Sequence, residues 1–421
     1  MTAEIALLNR SALAFAADSA VTLRMGANQK IYDSAEKIFE FSRRQPIGVM
    51  IYNNVEHVGI PLEVLIRKYR NEQKSDFPSV IAAADAFITY LENVQHPKEE
   101  EKSYLFNVLA DSFGGLNREV IKGFREQYPN GKPRRGAKQP DEILTAQIES
   151  AVAIEEARPL ADYLEDISLD AFEKAYGDVV SDAARRFLRF AIPKATHVPL
   201  LMKLALAITR SSVGSGMLTG LVIGGFAGSE LFPTMVSLET DGVYFGRLKL
   251  LGRSVVDIDR DGDRAELVPF AQKEMVDRFI YGIDDHFQGE IAQYVQTAVD
   301  GVMATRVRSF GSADKAAIRK TIVDGFNEMV TKLRQHEKES VLDILTFMSK
   351  KELADMAHVL VELTSKKRRF SRDQETVGGP IDVAIITRNE GFIWIRRKHY
   401  FERSENPGYY ARSFAHNQGE G

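Results

Sequence analysis

Cysteine is absent from the 421-residue chain, and its absence excludes three kinds of chemistry at once. The chain can form no disulfide, build no thiolate zinc site and use no cysteine nucleophile. Its eight histidines are scattered along the sequence, without a metal-binding spacing such as HExxH. We therefore expect neither a metal ion nor a cofactor.

A strong charge bias and a long apolar run are also missing. The net charge is −4 with 27% charged residues, so the composition has no basic bias that would favour nucleic acid as a partner. The longest apolar run, residues 217–228, is too short and too rich in glycine for a membrane span. The first residues also lack the basic and apolar regions of a signal peptide. These absences predict a cytoplasmic protein with no nucleic-acid and no membrane partner.

The second residue, Thr2, carries the first candidate chemistry. It is small enough for the initiator methionine to be removed, which would leave a hydroxyl and a free α-amine on one residue. The amine titrates at about 7.7 to 8.0, so near neutral pH it can accept the proton of the hydroxyl. An N-terminal threonine would therefore supply both a nucleophile and its general base.

Residues 3–17 predict a β-hairpin that begins next to this threonine. Apolar side chains alternate along AEIALL and again along ALAFAA, which is the period of a strand. A tight turn over residues 9–11 would place Thr2 opposite Ala17 or Asp18. Either pairing would bring the Asp18 carboxylate beside the threonine.

A lysine, Lys37, precedes the next apolar stretch in the segment EKIFEF. A positive charge near Thr2 would lower the pKa of its hydroxyl and its amine, and Asp18 could orient that charge. Lys30, in QKIY, is an alternative for the same role, and Glu4 is a further charge beside the threonine. Each residue alone has an ordinary structural explanation, so the hypothesis depends on the combination.

This combination resembles the opening of a proteasome-type β-subunit, in the N-terminal-threonine branch of the Ntn hydrolases. The resemblance is carried by Thr2, by AFAADS with Asp18, and by EKIFEF with Lys37 followed by IGVMIYNN. Asp18 follows Thr2 by 16 positions, as in the family, and a longer loop over residues 24–33 would absorb the extra length before Lys37. The resemblance implies that the threonine is the nucleophile and that the aspartate and lysine are its partners.

Two more parts of the site are implied by the resemblance alone. Near the C-terminus, RRFSRDQETVGGPIDVAII resembles the segment that carries an aspartate and a hydroxyl residue beside the active threonine, which fall here on Asp373 and Thr376. The family places a glycine, whose backbone N–H helps to form the oxyanion hole, where this chain has Asn53. The family's Ser-Gly-rich segment is replaced by PFAQKEMV, and it stays open whether Gln272 takes the place of its serine.

Strand patterns near both termini and in the centre, with helical patterns between them, predict an α+β fold. The resemblance implies a four-layer αββα sandwich, in which two antiparallel sheets pack face to face between helices. In the centre, LVIGGF and TMVSLETDGVYFGRLKL predict three successive antiparallel strands, with the last turn at Asp241-Gly242.

The predicted domain organisation is a discontinuous core with one insertion. Residues 95–194 lose the strand pattern and show helical periodicity and high charge, which predicts a helical insertion. Residues 1–94 and 195–401 would form the Ntn hydrolase core, and residues 402–421 a flexible tail.

These features together predict a hydrolase that cleaves peptide bonds in peptide or protein substrates, with Thr2 as its nucleophile. Two alternatives remain open: an amidohydrolase for small amides, and a proteasome-like scaffold without catalysis. The resemblance also implies a homo-oligomer, and the insertion is a possible site for a partner.

Overall fold

The structure is a computed structural model that describes residues 3–25, 28–161, 164–228, 230–258, 262–305, 311–370, 378–399, 401–408 and 411. For residues 22–25, 28–31 and 403 it describes the backbone alone. The chain divides into two compact units: Met1–Met50, Gly224–Thr234 and Asp257–Gly421 form the first, and Ile51–Ile223 and Met235–Val256 the second.

The described residues form strands and helices throughout. The strands, in chain order, are β1 (Ala3–Asn9), β2 (Ala12–Ala17), β3 (Val21–Met25), β4 (Asn28–Tyr32), β5 (Ile38–Glu40), β6 (Ile47–Asn53), β7 (Glu56–His57), β8 (Ile60–Pro61), β9 (Thr219–Gly225), β10 (Thr234–Tyr244), β11 (Arg247–Asp257), β12 (Ala265–Ala271), β13 (Asp382–Thr387) and β14 (Gly391–Arg396). The helices are α1 (Leu62–Glu72), α2 (Val80–Glu92), α3 (Lys98–Gln127), α4 (Pro140–Glu156), α5 (Leu169–Phe187), α6 (Val198–Arg210), α7 (Glu274–Tyr281), α8 (Asp285–Thr305), α9 (Ser312–Phe347) and α10 (Lys350–Phe370).

Two five-stranded antiparallel sheets contain most of these strands. Their strand orders are β12-β1-β2-β13-β14 and β11-β10-β9-β6-β5, and β3-β4 and β7-β8 form smaller pairs. In the first unit, α10 packs on β1, β2 and β13, and α9 packs on β12 and β1. The predicted α+β class, with antiparallel sheets packed against helices, is confirmed.

The alternation along β1 decides which of its side chains meet the helices. Ala3, Ile5 and Leu7 are buried in one apolar cluster with Leu353 and Leu360 of α10. Because successive side chains of a strand point to opposite faces, Glu4 lies on the other face of the sheet. Strand β1, which follows Thr2 in the sequence, is therefore an inner strand of the sheet, and all its residues are buried.

The other face of the first sheet is covered, at one point, by β6. Gly48 of β6 lies so close that a Cβ there would come within 2.6 Å of Ile386 in β13 and 3.0 Å of Phe392 in β14. A side chain at this position would therefore displace an apolar neighbour.

The N-terminal hairpin forms as predicted, but its predicted register is wrong. Glu4 lies opposite Ala17, and the N–H of Asp18 donates to the carbonyl of Ala3 at 3.1 Å. The turn holds two residues instead of three, because Asn9 remains in β1 and pairs with Ala12. Thr2 itself lies outside the described residues.

The side chain of Asn9 explains the shorter turn. Its Oδ1 accepts hydrogen bonds from the backbone N–H groups of Ser11 at 2.9 Å and Ala12 at 3.2 Å. Its Nδ2 donates to the carbonyls of Leu345 and Met348, both at 3.0 Å. Asn9 is buried, so one side chain closes the hairpin and joins it to the end of α9.

The predicted turn at Asp241-Gly242 is also wrong. Strand β10 continues through both residues to Tyr244, and the turn to β11 is at Phe245-Gly246. Both turn residues have positive φ angles, 55° and 69°, as a two-residue hairpin turn of the favoured type requires.

Asp241 stays in the strand because its buried carboxylate is the centre of a polar network in the second unit. It forms an ion pair with Lys249 of β11 at 3.1 Å and accepts from the Tyr104 hydroxyl at 3.1 Å and the Ser215 hydroxyl at 2.5 Å. At Gly242 a Cβ would come within 2.5 Å of the Tyr104 ring, so glycine allows α3 to approach β10.

Two strand segments differ from the sequence interpretation. Residues 24–33, predicted as a loop, fall mostly in β3 and β4, which pair as a small antiparallel ladder. Strand β12 was not predicted, because Pro269 interrupts its strand pattern. It is tolerated because β12 is the edge strand of the first sheet, where one side of the backbone needs no ladder partner.

The stretch predicted as a helical insertion contains α3, α4 and α5. These helices pack against one another and against α6 within the second unit. Ser168 caps the N-terminus of α5, and its side chain accepts from the N–H of Ala171. Helix α4 begins with Pro140, after a capping box from Gln139 to Glu142. Much of this stretch is thus helical in the structure, and a separable insertion over residues 95–194 stays a prediction.

Candidate active site

Lys37 lies at the centre of a buried cluster of charged side chains in the first unit. Its ammonium donates to Asp18 Oδ1 at 2.6 Å and to Glu4 Oε1 at 3.0 Å. All three residues are at most 2% exposed, so water and salt screen these ion pairs little. The cluster unites β1, the residue after β2 and the residue before β5.

Asp18 is held by more than the lysine. The backbone N–H of Ala3 donates to Asp18 Oδ1 at 3.2 Å, and that of Gly378 donates to Asp18 Oδ2 at 2.9 Å. With the Lys37 contact, the carboxylate accepts three hydrogen bonds from described residues, and each restricts its rotation. Asp18 therefore links the start of β1 to a distant segment near the C-terminus.

That distant segment, residues 378–380, is joined to the hairpin by a second residue. The N–H of Ser19 donates to the carbonyl of Gly378 at 3.2 Å, and the Ser19 hydroxyl donates to the carbonyl of Pro380 at 2.5 Å. Gly379 has a φ of 75°, and a Cβ there would come within 2.8 Å of the carbonyl oxygen of Asp33. Gly379 thus permits a close approach to Asp33 that a side chain would block.

The two carboxylates decide the charge of Lys37. Burial alone lowers the pKa of a lysine, but the carboxylates of Glu4 and Asp18 outweigh it and raise the pKa of Lys37 above its ordinary value. Near neutral pH the side chain is therefore an ammonium. It can act as a fixed positive charge and hydrogen-bond donor, and it cannot accept a proton as a general base.

The structure brings together two of the sequence-predicted residues, Asp18 and Lys37. Thr2, Asp373 and Thr376 lie outside the described residues. Thr2 is, however, bonded covalently to Ala3, whose N–H is held by Asp18.

The remaining predicted residues have described backbones. Asn53 ends β6 in the second unit and has a φ of 63°, in the left-handed region that glycine adopts freely and asparagine adopts more readily than most residues. Gln272 is 7% exposed and accepts from the Arg368 guanidinium at 2.5 Å. Lys30, the alternative to Lys37, lies in β4 with its backbone opposite Leu23.

Sequence reasoning missed two groups that shape this cluster. Glu4 was noted as a charge beside Thr2, but not as a partner of Lys37, although the alternation of β1 places it on the face away from the helices. The contact from Gly378 to Asp18 had no sequence signal of its own, because 360 positions separate the two residues.

Among the described residues there is no group of three or more His, Asp or Glu side chains that could hold a metal ion. The helices in the described part of the chain include none that is long and apolar enough to cross a membrane.

Comparison with known proteins adds a likeness to a solved structure. No model of a protein family matches the chain, and no curated protein matches it. A search of solved structures returns a chain described as an Anbu (Gly-1) mutant from Hyphomicrobium sp. strain MC1, with 13% sequence identity over 100% of this chain and 99% of that chain. The TM-score of 0.22 is too low to indicate a shared fold. The assignment of the fold class therefore rests on the strands and helices described above.

Proposed function

We propose that this chain is an N-terminal-threonine hydrolase of the proteasome β-subunit type, which cleaves peptide bonds with Thr2 after removal of Met1. The observation that carries the proposal is the buried contact between Lys37 and Asp18, next to the residue that follows Thr2. These are the two partners that the resemblance assigns to the threonine. They come from separate segments and meet where the chain begins.

The charge of Lys37 supports a specific division of roles. An ammonium has three N–H donors, and the described residues supply acceptors for two of them, Asp18 and Glu4. The third is available to the Thr2 hydroxyl, whose pKa a neighbouring positive charge lowers. Because Lys37 keeps its proton, the general base of the proposed mechanism is the α-amine of Thr2.

The proposed reaction is acyl transfer through an ester. The Thr2 Oγ attacks the carbonyl carbon of the scissile amide while its proton passes to the α-amine. The amine then gives that proton to the leaving nitrogen, the C–N bond breaks, and an acyl-enzyme ester remains. A water molecule, deprotonated by the same amine, attacks the ester and releases the acid, which restores the Thr2 hydroxyl.

Three further residues complete the proposal. The backbone N–H of Asn53 would donate to the oxyanion, and its positive φ is compatible with a position where the family has glycine. Asp373 and Thr376 would support the threonine, and they precede Gly378, whose N–H is bonded to Asp18. A homo-oligomer, and a partner bound through the helices of residues 95–194, belong to the proposal on the strength of the resemblance.

A panel of fluorogenic peptides and small acyl amides tests the reaction and separates it from the small-amide alternative. Peptide turnover should fall about a thousandfold or more in Thr2→Ala, because no other group supplies both nucleophile and base. Lys37→Ala should also lose turnover, and Lys30→Ala serves as the matched control with turnover close to wild type.

Circular dichroism on each variant separates loss of chemistry from loss of fold. Turnover of small amides without turnover of peptides would favour the amidohydrolase. Peptide turnover that survives in Thr2→Ala would contradict the assignment, and a wild-type chain that begins at Thr2 and turns over no amide would favour the scaffold.

A further inference from the structure

We infer that Glu4 is a positioning residue of the N-terminal site: with Asp18, it fixes the Lys37 ammonium in place as a permanent positive charge. The inference deepens the proposed function and rests on it for the consequence at Thr2. The hold of Glu4 on Lys37, however, is a property of the described residues and can be tested by itself.

The backbone position of Glu4 is fixed by pairing on both sides of its strand. β1 pairs with β12 on one side and β2 on the other, so the backbone of Glu4 is opposite both Phe270 and Ala17. Its side chain is buried and reaches Lys37 Nζ at 3.0 Å. A carboxylate in the interior costs several kcal/mol unless it is paired, so a glutamate that only filled space would be replaced at a gain in stability.

The geometry gives Glu4 and Asp18 different tasks. Asp18 is tied to Lys37, Ala3 and Gly378, so it holds together three parts of the chain as well as the ammonium. Glu4 provides the second acceptor on the lysine itself. With two of its three N–H groups directed to fixed oxygens, the ammonium can rotate little, and its third N–H points in a defined direction.

A second carboxylate also has an electrostatic consequence at the N-terminus. Glu4 lies two positions from Thr2, and its negative charge opposes the effect of Lys37 on the α-amine. Removal of that charge should lower the pKa of the amine, because the surroundings of the amine become more positive. Glu4 would thus set the pH at which the amine becomes a free base.

The first experiment follows the ionisation of Lys37 in the full chain, in a Thr2→Ala background. The 13Cε signal of the lysine is titrated, and it is assigned by its loss in Lys37→Arg. The midpoint should fall by about one pH unit in Glu4→Gln, since one of two nearby opposite charges is lost. Glu266→Gln is the matched control, because it removes a carboxylate of the same sheet that pairs with Lys338 instead, and it should leave the midpoint unchanged.

The second experiment follows the rate of covalent labelling of the chain with Thr2 intact by a β-lactone probe across pH. In Glu4→Gln the acid limb of the profile should move to lower pH by about one unit. Glu4→Asp keeps the charge but moves the oxygen away from Lys37, so the acid limb should stay at its pH. The plateau rate should fall about tenfold, the lower end of the loss seen when a hydrogen-bond partner of a metal ligand is removed. A merely structural role would lower the amount of folded protein without moving the limb.

The two experiments fail in different ways. An unchanged Lys37 midpoint in Glu4→Gln overturns the inference, even if the wild type is labelled. A lowered midpoint together with no labelling of the wild type supports the interaction of Glu4 with Lys37 and overturns the proposed hydrolase function. If Glu4→Gln does not fold, Glu4→Asp takes its place in the first experiment, where an unchanged midpoint supports the role of the charge and a raised midpoint contradicts it.

Discussion

One buried imidazole, that of His57, should make the second unit sensitive to acid. His57 is 4% exposed at the end of β7, and its ring meets that of His96 edge to face with the centroids 4.9 Å apart. Burial, and after it the charge of His96, lowers the pKa of His57 from 6.5 to about 4, against an opposing hydrogen bond with the Leu91 backbone. Burial also lowers the pKa of His96, against the opposing effects of a hydrogen bond with the Val58 backbone and of the charges of Glu101 and Glu100.

The magnitude follows from the difference between the folded and unfolded values. Because the folded pKa is depressed, the unfolded chain binds a proton first as the pH falls below 6.5. The stability that depends on a neutral His57 is therefore complete above that pH and is lost as the pH approaches about 4. At about 1.4 kcal/mol per pKa unit the whole loss is about 3 kcal/mol, and about 2 kcal/mol is lost by pH 5.

Urea unfolding at pH 7 and pH 5 measures this loss. The wild type should lose about 2 kcal/mol more free energy of unfolding between the two pH values than His57→Gln, which cannot bind the proton. His336, exposed on α9, provides the control, and His336→Gln should lose as much as the wild type. Equal losses in the wild type and in His57→Gln would refute the reasoning.

Three further predictions concern buried polar residues and use the same unfolding assay. Asn9→Ala should destabilise the chain by about 4 kcal/mol, because four hydrogen bonds of about 1 kcal/mol each are lost, whereas Asn9→Asp should keep the two in the hairpin turn. Asp241→Asn should cost about 3 kcal/mol by leaving the Lys249 ammonium without its carboxylate. Part of that cost should be recovered as the pH rises, because burial already lowers the pKa of Lys249. Lys37→Met should lower the free energy of unfolding by about 3 to 5 kcal/mol, because two buried carboxylates lose their partner. Part of this loss should be recovered as the pH falls, since acid neutralises the two carboxylates. Recovery of either variant in the wrong direction would contradict the assignment of its buried charge.

The fold class and the place of Asp18 beside the start of β1 could be predicted from local sequence patterns, and Lys37 was added by the family resemblance. Alternating apolar residues mark β1 and β2. The end of a hairpin that starts at the first residues necessarily returns to them, and the resemblance supplied the lysine.

The errors arose where tertiary contacts override a local signal. Asp-Gly is a strong turn signal, but Asp241 is held inside β10 by Lys249, and the turn moved to Phe245-Gly246. The register of the first hairpin depended on the two hydrogen bonds that the Asn9 side chain accepts from backbone N–H groups in the turn. A pattern of apolar residues gives no sign of these bonds.

The partners that the sequence missed are those set by long-range geometry. In the sequence, Glu4 is a charged residue within an apolar strand, and only the structure shows that it pairs with Lys37. The bond from Gly378 to Asp18 depends on the path of β13 beside β2. Strand β12 was hidden by Pro269, which only its place at the edge of the sheet makes acceptable.

Intact mass spectrometry before and after treatment with a β-lactone, followed by peptide mapping, tests the central claim most directly. The account predicts a chain that begins at Thr2 with a free amine, a single adduct on the Thr2 hydroxyl, and no adduct in Thr2→Ala. A chain that retains Met1 or carries an acetylated Thr2, or an adduct that persists in Thr2→Ala, would contradict it.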